Sequence, residues 1–355
     1  MKIEGRHIGW LLGGVMMLLL LTACSEESDG PQGSPLHLSS VTRSGDDHPD
    51  HLTSGSIKMF VMTANAQFST GTFNYSSGWG NTGVSVGEHA QYYLYGFSPS
   101  KIGDTDIDCS IEPPSSGGDY SAGADLTLRE LPMFSTDDVC VIVGVQKVSS
   151  AETAESHTEI TEGSYGYLSG LNSENYVNLL MAHLYSQLIL QFKVDEEYHA
   201  LRHIKLKTIT LKSSYAQTVD ATIRLRNGSS LNVNSVIFSP HTSGDKELEI
   251  LVAKDDKSNE RFLGTTVAEV ASFGPFYCPY LTFDGDGSKL DLICSYDVYN
   301  TDDTKVLRSQ EVTNKLKVTN MAPGVRKTVT LTIEPTYLYV LSDDDLDNPT
   351  IRIEN

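Results

Sequence analysis

The chain has 355 residues, 39% of them hydrophobic and 20% charged, and its 46 Asp and Glu against 26 Lys and Arg give a formal charge of -20. That length exceeds one ordinary sandwich domain and suits two of common size, and the apolar content is enough for buried cores rather than a disordered chain. The acidity argues against a nucleic-acid partner, and against anionic membrane surfaces unless something covalent holds the chain there.

The first 23 residues carry the pattern of such a device. Lys2 and Arg6 form a short basic region, and Trp10 to Leu21 is an apolar run too short to span a bilayer comfortably. It ends in Leu21-Thr22-Ala23-Cys24, a branched apolar residue and two small ones before a cysteine. This is the order of a bacterial lipobox, so residues 1–23 are expected to be a lipoprotein signal peptide and Cys24 the lipidated first residue. Residues 24–35 are polar, acidic and rich in Gly and Pro, and read as a linker. An acidic cluster after the lipidated Cys resembles the surface-export signal of lipoproteins in Bacteroidetes-type bacteria, and Ser25 fits outer-membrane sorting.

Beyond the linker the chain reads as short strands with Gly, Ser, Asn and Asp punctuation. Leu36-His37-Leu38 opens an alternation, followed by Ile57–Val61, then the aromatic run Tyr92–Phe97 stopping at Pro99. Leu126–Leu131 alternates, and Val139–Val143 looks buried on both faces. Leu188–Val194, Ile204–Leu211 and Val219–Leu225 continue the series, as do Leu248–Val252, Tyr280–Phe283, Leu290–Tyr296 and Thr328–Glu334. Tyr176, Leu179, Leu180, His183 and Leu184 have helical spacing, so a short helix competes with a strand there. The expected fold is all-β, two sandwich domains in tandem, residues 36–178 and 179–355.

Four cysteines remain after Cys24: Cys109, Cys140, Cys278 and Cys294. Outside the cytoplasm an even number permits disulfides, and buried free thiols are the other reading. Cys278 and Cys294 are symmetric about Asp286, so a hairpin turn at Asp284–Gly287 would place them opposite one another.

Chemistry is sparse. Asp46-Asp47-His48-Pro49-Asp50-His51 collects metal-ligand types but reads as an acidic loop. His199 and His203 would need a helix to share a face, and they lie between two strands, so a connector is expected. Asp284-Gly285-Asp286-Gly287 resembles part of a calcium loop, but Ser295 occupies the position of its closing Glu. No zincin helix and no P-loop motif occurs. The expectation is therefore no catalytic residue, no metal and no cofactor. Trp79 is a core or turn-packing residue on the ordinary reading and a sugar-stacking one on the alternative.

These pieces, in this order, resemble the fimbrillin family, the lipoprotein-derived type V pilin subunits of Bacteroidales. Thr42-Arg43-Ser44 after a short strand looks like the family's processing region. Ile57–Phe60 with Tyr92–Pro99 is similar to its N-terminal domain pattern, and Met181–Leu184 running into Leu188–Phe192 to the opening of its second domain. Ala322-Pro323-Gly324, Val329–Ile333 and Pro335–Leu341 are similar to its ending.

The resemblance implies two transthyretin-like β-sandwich domains, no enzymatic activity, and a fimbrial subunit or adhesin displayed on the outer membrane. Partners would be copies or relatives of the chain, outer-membrane lipid through Cys24, and a host or bacterial surface receptor. Residues at the two ends are candidates for assembly. Arg43, between a short apolar strand and an acidic loop, is the expected processing site, and the tail offers a donor strand in Tyr337, Tyr339 and Leu341 or in Ile351 and Ile353. The alternative is a non-polymerising surface lipoprotein that binds glycans, and an esterase or glycosidase is the third reading.

Overall fold

The computed structural model describes residues 33–43, 50–149, 160–171, 174–252, 259–279, 290–316, 322–335, 347 and 349–354. Cys24, the linker, Tyr280–Phe283, the Asp284–Gly287 turn, and Tyr337, Tyr339 and Leu341 lie outside the described residues. Of the described residues, 62% are strand and 3% helix, so the fold is nearly all β.

In chain order the first strands are β1 (Ser34–Pro35), β2 (His37–Arg43), β3 (Asp50–His51), β4 (Ser56–Met62), β5 (Gln67–Tyr75), β6 (Trp79–Thr82), β7 (Ser85–Val86) and β8 (Gln91–Ser98). β9 (Lys101–Ile102), β10 (Thr105–Asp106), β11 (Cys109–Glu112), β12 (Gly123–Pro132), β13 (Cys140–Val148), β14 (Gly166–Leu168) and β15 (Tyr176–His183) follow. Then come β16 (Ser186–Val194), the four-residue helix α1 (Glu196–His199), β17 (His203–Ser213), β18 (Thr218–Arg226), β19 (Val236–Thr242) and β20 (Lys246–Val252). β21 (Arg261–Phe262), β22 (Ser272–Cys278), β23 (Leu290–Tyr299), β24 (Val306–Leu316), β25 (Arg326–Glu334) and β26 (Thr350–Glu354) complete the set.

Local sequence explains most of these. In β18, Val219, Ala221, Ile223 and Leu225 point inward and polar residues alternate outward. β17 alternates likewise, and a register shift between Leu206 and Thr208 lets Ile209 and Leu211 face inward again. β8 ends before Pro99, which has no N–H for the ladder. β4 is covered on both faces: Phe60 and Met62 join one core, Ile57, Met59 and Val61 another.

The strands form four main sheets. The largest runs β3-β2-β15-β13-β8-β4-β5-β6, with β14 also pairing β8. The others are β11-β12-β18-β19, β22-β16-β25-β26 and β20-β17-β23-β24, with β21 also pairing β17. Side chains from all four sheets share one core, while the second core belongs to the largest sheet and the chain beside it. The expected boundary at 178/179 falls inside β15, and β12 pairs with β18 across it, so the two halves share a sheet. Tyr185, between β15 and β16, ties them further, its hydroxyl donating to Pro132 O at 2.8 Å.

Two readings left open by the sequence are decided and one expectation is corrected. Tyr176–His183 is a strand, not a helix, because Val177, Asn178 and Leu179 are buried in succession and a strand covered on both faces shows no alternation. The connector before His203 contains one helical turn, capped by the Asp195 carboxylate accepting from the N–H groups of Glu197 and Tyr198. Cys109, Cys140, Cys278 and Cys294 are thiols rather than disulfides. Cys278 lies in β22 opposite Ser186, whereas Cys294 lies in β23 opposite Ile209 and Val312, so the chain changes sheets between them and makes no hairpin.

Candidate functional site: the N-terminal strand at the sheet seam

The largest sheet curls until its two ends approach one another, and β1 and β2 lie where they meet. On one side β2 runs parallel to β15, from His37 opposite Tyr176 to Arg43 opposite Met181. On the other side β1 pairs antiparallel with β7, Ser34 opposite Val86 and Pro35 opposite Ser85. Between them the Leu36 N–H donates to Val84 O at 3.2 Å, and Asn81 Nδ2 in β6 donates to Leu36 O at 2.7 Å. Gly71 in β5 makes the curl sterically feasible, since a Cβ there would collide with Thr82 O and Val84 N.

The segment is apolar where it faces in. Leu36 is 0%, Leu38 7% and Val41 1% exposed, and they pack in the second core with Val84, Val86, Val177 and Leu179. Asn178 Oδ1 accepts from the Ser40 N–H at 3.1 Å, beside a register shift in the β2–β15 ladder. Arg43 is the last residue of β2, opposite Asp50 of β3, and the Leu52 N–H donates to Val41 O at 2.9 Å. The expected cut after Arg43 therefore falls at the end of β2.

The C-terminal candidates are also placed in part. Ile351 and Ile353 lie in β26, antiparallel to β25 with Ile333 and Leu331 as their facing residues. Ile351 is buried and Ile353 half-buried, and Arg352 Nε reaches Glu334 Oε2 at 2.9 Å. β26 ends its sheet, so its own outer edge carries no further strand among the described residues.

Other sequence candidates separate. The His199 and His203 rings stack at 4.6 Å, and His203 Nδ1 is 2.7 Å from Asp303 Oδ1. Trp79 is half-buried at the rim of the second core, with its ring edge-on to Tyr75 at 5.3 Å. A polar cavity of about 300 Å³ is lined by Tyr165, Arg224, Arg226, Leu231, Asn232 and neighbouring residues. Arg226 there is committed to Asp125 at 2.6 Å and to Ala124 O at 3.1 Å.

Sequence reasoning missed one constellation. Asp138, Cys140 and His183 bring one ligand-type atom each to within 4.8 Å of the others. The signal was hidden because His183 is 43 positions from Cys140, and only the β13–β15 register, with Cys140 opposite His183, joins them.

No protein-family model matches the chain, and no curated protein matches its sequence. Among solved structures it is similar to a fimbrial protein from Bacteroides vulgatus, at 12% identity and a TM-score of 0.46, over 90% of this chain and 98% of that one. It is also similar to a candidate cell adhesion protein from Parabacteroides distasonis, at 6% identity and a TM-score of 0.43, over 90% of this chain and 96% of that one. A fimbrial protein from Bacteroides ovatus aligns at 12% identity and a TM-score of 0.31, over 84% of this chain and 48% of that one.

Proposed function

We propose that the protein is a subunit or adhesin of cell-surface fimbriae, lipidated at Cys24, that assembles by cleavage after Arg43 and strand replacement. The observation that carries this reading is the seam: the N-terminal segment ending at Arg43 pairs with β7 through β1 and with β15 through β2. Removing it opens two edges and an apolar groove that held Leu36, Leu38 and Val41. Such a groove is costly in water and accepts a strand from another chain.

The two termini are unequal, which gives the exchange a direction. The N-terminal segment buries three aliphatic side chains almost completely, each contributing about 1.5–3 kcal/mol. β26 buries Ile351 and only part of Ile353. The tail can therefore leave its own edge far more readily than the N-terminal strand can leave the seam, and the latter needs a cut. A tail donated to the groove of the next copy makes a head-to-tail contact that does not close, and so yields a filament. In this reading the lipid on Cys24 is lost with the cleaved segment.

Trypsin treatment of the purified protein, followed by light scattering and electron microscopy, tests the proposal. The parent protein polymerises, while Arg43→Ala and a chain ending at Pro335 do not. Polymers formed by both variants, or none formed by the cleaved parent, would overturn strand exchange through these segments.

A further inference from the structure

We propose that Asp138, Cys140 and His183 form a three-ligand zinc site at the end of the β13–β15 ladder. Cys140 and His183 are a facing cross-strand pair. Asp138 lies two positions before β13 begins at Cys140, and its Oδ2 stands 3.4 Å from Cys140 Sγ. Strand register and this short approach thus bring the three side chains together. They are also withdrawn from solvent: the side chains of Asp138 and His183 are 7% and 12% exposed, and Cys140 is 1% exposed.

The donor set suits a borderline-soft ion, with one sulfur, one imidazole nitrogen and one carboxylate oxygen. Ligand atoms about 2.0–2.3 Å from a tetrahedral zinc stand about 3.3–3.6 Å from one another. Cys140 Sγ is 3.4 Å from Asp138 Oδ2 and 3.6 Å from His183 Nδ1, already at that spacing. Asp138 Oδ2 and His183 Nδ1 are 2.6 Å apart, a hydrogen bond that must open by roughly 0.7 Å to admit the ion.

The same geometry disfavours a nucleophile–base–orienter arrangement. There the imidazole would bridge its partners through different ring nitrogens, whereas here thiol and carboxylate converge on the same atom, Nδ1. On binding, the thiol proton is released to solvent and the sulfur binds as thiolate. The imidazole binds neutral through Nδ1 and carries its proton on Nε2.

The site lies where the chain leaves β15 for β16. The turn at Gly324 covers the His183 ring, a Cβ at Gly324 would sit 3.5 Å from His183 Cδ2, and the Gly324 N–H donates to Tyr185 O at 3.0 Å. An ion there would pin the strand ends against which that turn rests.

Titration of the full mature protein with zinc against a chromophoric chelator, and separately with cobalt(II), tests the site. The expected result is one equivalent of zinc, and a cobalt complex with thiolate-to-metal charge-transfer absorption. Cys140→Ser abolishes that absorption and weakens zinc at least a hundredfold. Asp138→Asn, which keeps the shape of the side chain and its capacity to hydrogen-bond His183, weakens zinc at least tenfold while its circular dichroism matches the parent. Less than one equivalent bound by the parent, a cobalt spectrum without the thiolate band, or zinc affinity unchanged in either variant would overturn the proposal.

Discussion

Leu36→Ala probes the seam without cutting the chain. Leu36 is 0% exposed, inside the second core. Truncation removes three carbons, about 2.4 kcal/mol of transfer free energy at about 0.8 kcal/mol per methylene, and leaves a cavity. Buried Leu→Ala changes cost about 2–5 kcal/mol, so about 3 kcal/mol is expected here, a substantial share of the 5–15 kcal/mol typical of a folded domain. Urea titration followed by circular dichroism reads the loss as a lower midpoint at unchanged slope. The same 3 kcal/mol corresponds to roughly a hundredfold larger population with the seam open, so trypsin-triggered assembly should start sooner. A loss below about 1 kcal/mol would mean that Leu36 is not packed as described. A full loss of stability with an unchanged assembly rate would separate the seam from assembly and refute the mechanism.

Thiol reactivity should follow burial. Burial pushes the Cys278 thiol up to about 12 and also raises those of Cys294 and Cys109, of which Cys109 alone is half-exposed. Alkylation of the folded protein at pH 8 should label Cys109 first, and equal rates at Cys109, Cys278 and Cys294 would contradict the packing. His241 should make stability fall with rising pH. Its hydrogen bond to Asp220, with Glu130 beside it, raises its pKa above the ordinary 6.5. That contribution is fully present below about pH 6.5 and is lost as pH rises through the raised folded value. His241→Gln should flatten the stability curve above pH 6.5, and an unaltered slope would remove the interaction from the account.

The legible parts of the fold were those with one buried face. Val219 to Leu225 alternates because its other face is half-buried or exposed, and it is a strand. β15 was ambiguous because both its faces are covered, which erases the period that distinguishes strand from helix. Sequence could mark Leu36 to Val41 as a short apolar alternation before a polar, acidic stretch. It could not show that this segment pairs with β7 through β1 and with β15 through β2, because those partners lie far along the chain. The same limit hid Asp138, Cys140 and His183, and led the spacing of Cys278 and Cys294 to suggest a hairpin where the chain changes sheets.

The most direct test of the central claim is the N-terminal residue of the chain in surface filaments. Filaments sheared from cells, imaged by electron microscopy and identified by mass spectrometry, should contain this chain beginning at Ser44 and should be lost or altered in cells lacking it. Filaments whose subunits keep residues 24–43, or cells whose filaments do not contain the chain, would contradict the account.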